Sequence, residues 1–521
     1  MSRQPNFLYI MTDQQRADYL GCYGHPLLKT PNIDELARAG TRFDNFHVAS
    51  PVCMPNRATL LTGRYPSVHG LRKNGLHLAA GSVTFADVLR HGGYHTAMIG
   101  KSHIQPFTGR DLPMDNPYRD APIKEAKAEP EGDWQQEEPS RWQGEEPYRV
   151  STPYYGFEQV DMVTQHGDNC GGHYYQWLRR QVGSPEAICG PANQLPHGYS
   201  CPQAFRTALP EDLHPTSYIR DRAIDYLKAE ERKEQPFFAF VSFPDPHHPF
   251  APPGKYWDMY DPDDFEVSVP FEAHRNPPAH LRFVREQYLQ GHRKAGTEKA
   301  FMANEREIRE AMALTCGMIT MIDDAVGAIM DTLRAQGLDD NTIVIFNSDH
   351  GDYLGDYSLL LKGPEPSCSI TRVPFIWRDP TARGPASCDA MASMIDIAPT
   401  ILDRAGLKPF NGVQGSSLLP LLNGRHASLR DALLIEHEDN IAHWGFKQPA
   451  LSRTLVTAQY RLTLFLNQPW GELYDLQQDP HELHNLWDEA DYAATRLQLT
   501  ETLLQQVMAA GETSPWPKRL A

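Results

Sequence analysis

Four short runs in this chain are apolar at nearly every position, and each gives way to a polar cluster. Phe7-Leu8-Tyr9-Ile10-Met11 ends at Thr12-Asp13-Gln14, and Thr96–Ile99 at Gly100-Lys101-Ser102-His103. Phe237-Phe238-Ala239-Phe240-Val241 precedes Asp245-Pro246-His247-His248-Pro249, and Thr342–Asn347 precedes Ser348-Asp349-His350-Gly351. A strand with one wet face alternates apolar and polar residues. A run without alternation is buried on both faces, as in a parallel sheet covered by helices. Helix signals lie between the runs. Thr30-Pro31-Asn32 precedes Ile33–Ala37, Thr84–Arg90 stops at Gly92-Gly93, and Glu305–Arg334 carries Met312, Ile319, Ile322, Val326 and Ile329 at helical spacing. The alternation predicts an α/β fold: a large mixed, mainly parallel sheet flanked by helices. Such sheets carry functional residues just past the carboxyl ends of their strands.

The chain of 521 residues is long enough for a large core. We read residues 1–425 as the α/β domain. An irregular insertion at about 108–156, rich in Pro, Glu, Asp and Trp, reads as an excursion over the surface. From 426 to 521 the texture changes to a smaller α+β domain with antiparallel strands, such as Arg461–Leu466, and a terminal helix at Leu497–Met508. A net charge of −17 argues against a nucleic-acid surface but leaves room for a local positive pocket. No stretch reads as a membrane span, and Met1–Pro5 leads into the first strand without a signal-peptide pattern, so the expected location is cytoplasmic. Eight cysteines without a CxxC pair lack zinc-cluster spacing and are expected to be reduced. A homo-oligomer is left open.

The strongest local pattern is Cys53-Met54-Pro55-Asn56-Arg57, continuing through Leu60-Leu61-Thr62-Gly63-Arg64. Asp13-Gln14 and Asp349-His350 each follow a predicted strand. In a parallel sheet both pairs reach the same edge, offering oxygen ligands and an imidazole to one divalent ion. Gly100-Lys101-Ser102 is not a P-loop, because that motif needs glycine where His95 stands.

Together these segments resemble the sulfatase family of the alkaline-phosphatase superfamily. Cys-x-Pro-x-Arg is the pattern on which sulfatase cysteines are oxidised to formylglycine (3-oxoalanine) by a formylglycine-generating enzyme. Gly100-Lys101-Ser102-His103 is similar to the family's Gly-Lys-x-His segment, and Pro246-His247-His248-Pro249 to its Pro-His-x-Pro turn. Lys362 stands where the family has a lysine that binds the transferring group, and Glu472–Leu476 with Asp479-Pro480 and Asn485-Leu486 resembles its C-terminal strand and turn. The likeness runs from residue 6 to about residue 486.

The resemblance implies an alkaline-phosphatase-like fold and hydrolysis of a small-molecule sulfate ester, as in an arylsulfatase. A hydrated aldehyde at Cys53 would supply the nucleophile, with Arg57, Lys101, His103, His247 and Lys362 as catalytic residues. Asp13, Gln14, Cys53, Asp349 and His350 would surround one divalent metal. Calcium is the first choice and manganese the alternative, since Gln14 and His350 replace the family's usual Asp and Asn. The related phosphonate monoester hydrolases use the same machinery on phosphonates and phosphodiesters. A third reading is a catalytically silent binding protein on this scaffold. His173 and Tyr174, in a stretch rich in His and aromatics that begins at His166, are expected to line the leaving-group pocket.

Overall fold

The computed structural model describes residues 4–519 apart from 112–115, 119, 127–131 and 296–297. Parts of the expected excursion thus lie outside the described residues. Nine strands form the main sheet: β1 (Asn6–Thr12), β2 (Thr41–Phe43), β3 (His95–Lys101), β4 (Gln159–Thr164), β5 (Gly171–Gly172), β6 (Phe237–Ser242), β7 (Thr342–Ser348), β8 (Phe375–Arg378) and β9 (Ser387–Cys388). Their order is β9-β2-β8-β7-β1-β6-β3-β4-β5. The central five, β7-β1-β6-β3-β4, run parallel. Strand β8 is antiparallel to β7, and β5 to β4. Every residue of β1, β6 and β7 is buried, which explains why their sequences do not alternate.

Register decides what happens at the edge. Thr12 of β1 pairs with Ser348 of β7, Met11 with Ser242 of β6, and Gly100 of β3 with Ser242. The chain therefore leaves four neighbouring strands at one level, and the polar clusters after them share one carboxyl edge. Helices cover both faces: α1 (Pro31–Ala39), α2 (Cys53–Thr62), α3 (His173–Val182), α4 (Pro215–Lys228), α5 (Ala279–Leu289) and α6 (Glu305–Ala335) among them. Asp323 of α6 accepts the backbone N–H groups of Asn32 and Ile33, at 3.1 and 2.8 Å, so one helix caps another. By length and composition α6 could cross a bilayer, contrary to the expectation from the sequence that no stretch is long and apolar enough. Most of that helix is instead buried inside the protein, as a core helix is.

The described part of the 108–156 segment is more than a surface excursion. Trp142, Tyr154 and Glu137 are buried. Glu137 accepts the backbone N–H groups of His103, Ile104 and Gln105 at 2.9–3.1 Å, and the Tyr154 hydroxyl at 2.8 Å. Such donors require an acceptor inside the fold, which fixes this stretch against the loop that follows β3.

The last part of the chain forms an antiparallel sheet, β10 (Ala432–Glu438), β11 (Leu451–Thr457), β12 (Tyr460–Phe465) and β13 (Gly471–Asp475), covered by α7 (Ala493–Ala509). Arg461 of β12 is wholly buried. Its guanidinium reaches Glu482, Glu472 (2.6 Å) and Glu365 (2.9 Å). Three carboxylates on one cation leave excess negative charge out of water. Burial and the neighbouring Glu365 push the Glu472 carboxyl up to about 8, from an ordinary value of 4.5. A raised folded-state value means that this group's contribution to stability is whole below about 4.5 and is lost as pH rises through 8. Glu472→Gln mimics the protonated acid. It is expected to melt close to wild type at pH 5 and above it at pH 9, by thermal denaturation; equal shifts at both pH values would count against this account.

Candidate functional site

The nucleophile position is set by a helix start. Val52 is extended and Cys53 opens α2, whose ten residues are all buried. Asn56 secures the approach: its side-chain oxygen accepts Ala49 N–H at 3.0 Å and Ser50 N–H at 3.3 Å, and its amide donates to the Asp349 carbonyl at 2.5 Å. One turn into the helix, Arg57 points at the sheet edge. Its Nε donates to Asp349 Oδ2 at 2.6 Å, and Nη1 donates to the Lys101 carbonyl and Ser242 Oγ, both at 2.9 Å. Nη2 lies 3.8 Å from Asp13 Oδ2 and has no hydrogen-bond partner.

Donor atoms of Asp13, Cys53, Asp349 and His350 lie within 4.8 Å of one another, all buried. His350 Nδ1 lies 2.8 Å from the Gly351 carbonyl, so it carries the proton and Nε2 presents a lone pair. That Nε2 is 3.5 Å from Asp13 Oδ1 and 3.7 Å from Asp349 Oδ1. Both His350 Nε2 and Asp13 Oδ1 are buried without a hydrogen-bond partner. An orphaned imidazole nitrogen facing an orphaned carboxylate oxygen fits one divalent ion. Burial, the largest influence, opposes a positive charge on His350, but Asp349 and Cys53 together outweigh it and raise its proton affinity. A dication answers the same field. Gln14 sits in the left-handed backbone region (φ 63°). Its N–H donates to Asp349 Oδ1 (3.1 Å), and its amide nitrogen donates to Asp352 Oδ2 (2.5 Å) and lies 3.2 Å from His248 Nδ1.

Two lysines flank the cluster. Lys101, wholly buried, donates to Asp13 Oδ2 and to His166 Nε2 (2.7 Å). Lys362 donates to Gln14 Oε1 (2.5 Å) and His247 Nε2 (2.7 Å). The rings of His166 and His247 stack, with centroids 3.5 Å apart and planes 5° from parallel. Burial raises the carboxyl of Asp13, yet Lys101, His247, His166 and Arg57 together hold it well below the ordinary carboxylate range. Burial and Asp13 work against a Cys53 thiolate, but Lys362, Lys101 and His350 together outweigh them and lower the thiol's proton affinity. Burial, with His166, Lys362 and His248 beside it, depresses the proton affinity of His247 well below that of an ordinary histidine. His103, also in the left-handed region (φ 58°), stacks on Phe107 at 3.8 Å with its Nδ1 unpartnered.

The structure thus brings Asp13, Gln14, Cys53, Arg57, Lys101, His247, Asp349, His350 and Lys362 into one connected cluster, and His103 to its border, with its ring 6.4 Å from that of His166. His173 and Tyr174 do not join it. Tyr174 is wholly buried in the core and donates to the Leu213 carbonyl at 2.9 Å. His173 accepts Met162 N–H at 2.9 Å and lines a separate cavity of about 440 Å³ with Arg149, Trp177 and Arg180. His166, which the sequence reading placed in the stretch lining the leaving-group pocket and not among the catalytic residues, follows β4 and lies against Lys101 and His247. The sequence reading missed Asn56, Glu137 and Asp352, which act through folded contacts.

A cation pocket set against a cysteine at a helix start, with two buried lysines beside it, defines a metal-assisted hydrolase of anionic esters. The comparisons with known proteins name the class. The sulfatase family model matches residues 5–407, and the model for the C-terminal region of N-sulphoglucosamine sulphohydrolase matches residues 367–509. An arylsulfatase of Clostridium perfringens is 29% identical, over 97% of this chain and 94% of its own length. A multifunctional alkaline phosphatase superfamily protein of Trinickia caryophylli is also 29% identical, over 94% and 92%. The crystal structure of a phosphonate monoester hydrolase of Agrobacterium radiobacter overlays with a TM-score of 0.76 at 29% identity, covering 98% of this chain and 97% of that one. The chain belongs to the sulfatase family: it is a sulfuric ester hydrolase with an alkaline-phosphatase-like fold.

A dication bound in the cluster stabilises the folded state by mass action. After equilibration with Ca²⁺ or Mn²⁺ and desalting, elemental analysis is expected to find one metal per wild-type chain and little in His350→Ala or Asp13→Asn. A chelator should lower the melting temperature of wild type and leave that of the variants nearly unchanged.

Proposed function

We propose that this enzyme cleaves a small sulfate ester by covalent catalysis at position 53, with Cys53 matured to formylglycine by a formylglycine-generating enzyme. The observation that carries this reading is the placement of Cys53 among Asp13, Asp349 and His350, with Lys101 and Lys362 flanking them. A hydrated aldehyde supplies one hydroxyl as nucleophile and a second whose collapse to the aldehyde releases sulfate. Asp13, Gln14, Asp349 and His350 would hold a divalent ion, which when bound would supply charge neutralisation for the nucleophile and the group in transfer. Calcium is our assignment for it, supported by the hard oxygen donors, with manganese as the alternative that His350 favours.

The remaining roles belong to this chain's own side chains. Arg57 holds Asp349 through Nε and leaves Nη2 directed toward Asp13, where it fixes the nucleophile's surroundings. Lys101 and Lys362 place two cationic donors around the transferring group, and His103 adds a ring nitrogen. His247 receives a hydrogen bond from Lys362 at Nε2 and holds its Nδ1 proton on the His248 carbonyl (2.5 Å). Lys362 carries the proton of this pair, and with its ammonium oriented by His247 Nε2 it would give that proton to the departing oxygen. A cytoplasmic location belongs to the same reading, supported by eight cysteines that form no disulfide.

The overlay on a phosphonate monoester hydrolase favours one second reading, the same machinery acting on phosphonate monoesters or phosphodiesters. The test compares kcat/KM on 4-nitrophenyl sulfate and 4-nitrophenyl phenylphosphonate, with the Cys53 peptide analysed by mass spectrometry. Sulfate preference with aldehyde at position 53 is the expected result; phosphonate preference would exchange the two readings, and no turnover by fully matured enzyme would leave only a binding role. His247→Ala should lower kcat/KM by on the order of 10²- to 10⁴-fold. The loss should be greater for an alkyl sulfate than for 4-nitrophenyl sulfate, whose leaving group needs no proton.

A further inference from the structure

Lys362 does not stand on a strand or a helix. It lies on the loop between Leu361 and Ser367, yet its ammonium must meet Gln14 and His247 inside the site. A lysine on an unsupported loop would lose that position to its own rotamers. The loop is pinned at its start, where Asp352 Oδ1 accepts Leu361 N–H at 2.8 Å. At its far end Glu365 is gripped from three sides. The Tyr353 hydroxyl donates to the Glu365 carbonyl at 2.8 Å, His280 of α5 lies 2.9 Å from Glu365 Oε2, and Arg461 Nη2 donates to Oε1 at 2.9 Å.

One of these supports comes from the C-terminal region. Arg461 is on β12, and its other two acid partners, Glu472 and Glu482, also belong to that region. Glu365 is therefore the partner through which this guanidinium reaches the catalytic part of the chain. Trp444 adds contact: a Cβ on Gly363, the residue after Lys362, would stand 2.9 Å from the Trp444 ring. Trp444 in turn donates to the Ala300 carbonyl at 3.3 Å, and Ala300 N–H donates to the Lys362 carbonyl at 3.1 Å. Glu482 also accepts Cys368 N–H at 2.7 Å, just past the loop.

We infer that the C-terminal sheet is a working part of the active site, with Arg461 and Glu365 as positioning residues that set the Lys362 ammonium. The inference rests on the proposed role of Lys362 in binding the transferring group. It gives the buried ion cluster a function beyond stability. Replacing a buried ion cluster by apolar residues is often neutral or stabilising, so holding Lys362 is a reason to retain this one.

The test is a double-mutant cycle between Glu365→Gln and Lys362→Ala, read as kcat/KM on 4-nitrophenyl sulfate well below each variant's melting temperature. The expected result is a loss on the order of 10- to 100-fold for Glu365→Gln in the wild-type background, from displacement of a binding group. In the Lys362→Ala background the same change should cost less than about 2-fold, because nothing remains to position. Arg461→Lys keeps the charge but not the forked geometry, and should show the same non-additivity. Equal losses in both backgrounds, or no loss from Glu365→Gln in the wild-type background, would overturn the inference. If Lys362→Ala itself leaves kcat/KM unchanged, the role of Lys362 fails, and the inference with it.

Discussion

The ion pair between Arg57 and Asp349, 2.6 Å apart and wholly buried, is the contact on which the rest of this site depends. It joins the helix that carries Cys53 to the strand end that carries His350. Breaking such a pair from one side costs about 3–5 kcal/mol, because the surviving charge has no water to turn to. The guanidinium also donates to the Lys101 carbonyl at the end of β3 and to Ser242 at the end of β6. One side chain thereby ties α2 to three strands at the level where their register brings them together.

Electrostatics follows from that geometry. Asp13 and Asp349 bring two negative charges into a dry edge, answered by Arg57, Lys101 and, across the site, Lys362. The arrangement still leaves His350 Nε2 and Asp13 Oδ1 unpaired and facing each other. This is a cost for a folded protein without a cation and a gain for one that binds it. The same positive rim that lowers the proton affinity of the thiol at position 53 suits an anionic group in transfer. A net charge of −17 over the whole chain is compatible with this because the positive charges are concentrated at one edge.

Much of this was legible in the sequence, and the reasons are specific. Unalternating runs such as Phe7–Met11 and Thr342–Asn347, short and rich in aromatic and β-branched residues, read as strands covered on both faces, and Asp13-Gln14 and Asp349-His350 adjoin their ends. Cys53 and Arg57 lie one helical turn apart, so their contiguous motif survives folding as a single unit. What was not legible depends on distant contacts. Glu137 sits in a stretch without periodicity, and only the folded chain shows it accepting three N–H groups beyond β3. His166 follows a strand end, but β4 is weakly patterned, with its first three residues only partly buried. His173 and Tyr174 were read as pocket residues from composition. The helix that begins at His173 instead turns Tyr174 into the core. Arg461 and Glu365, 96 residues apart, carry no local signal of their partnership.

The account stands on position 53 being the nucleophile in its oxidised form. The most direct measurement takes preparations matured to different extents, determines the aldehyde fraction of the Cys53 peptide by mass spectrometry, and plots it against sulfate release per chain at saturating metal. The account predicts a straight line through the origin. Full activity in protein that retains the thiol, or activity that does not vary with the aldehyde fraction, would contradict it.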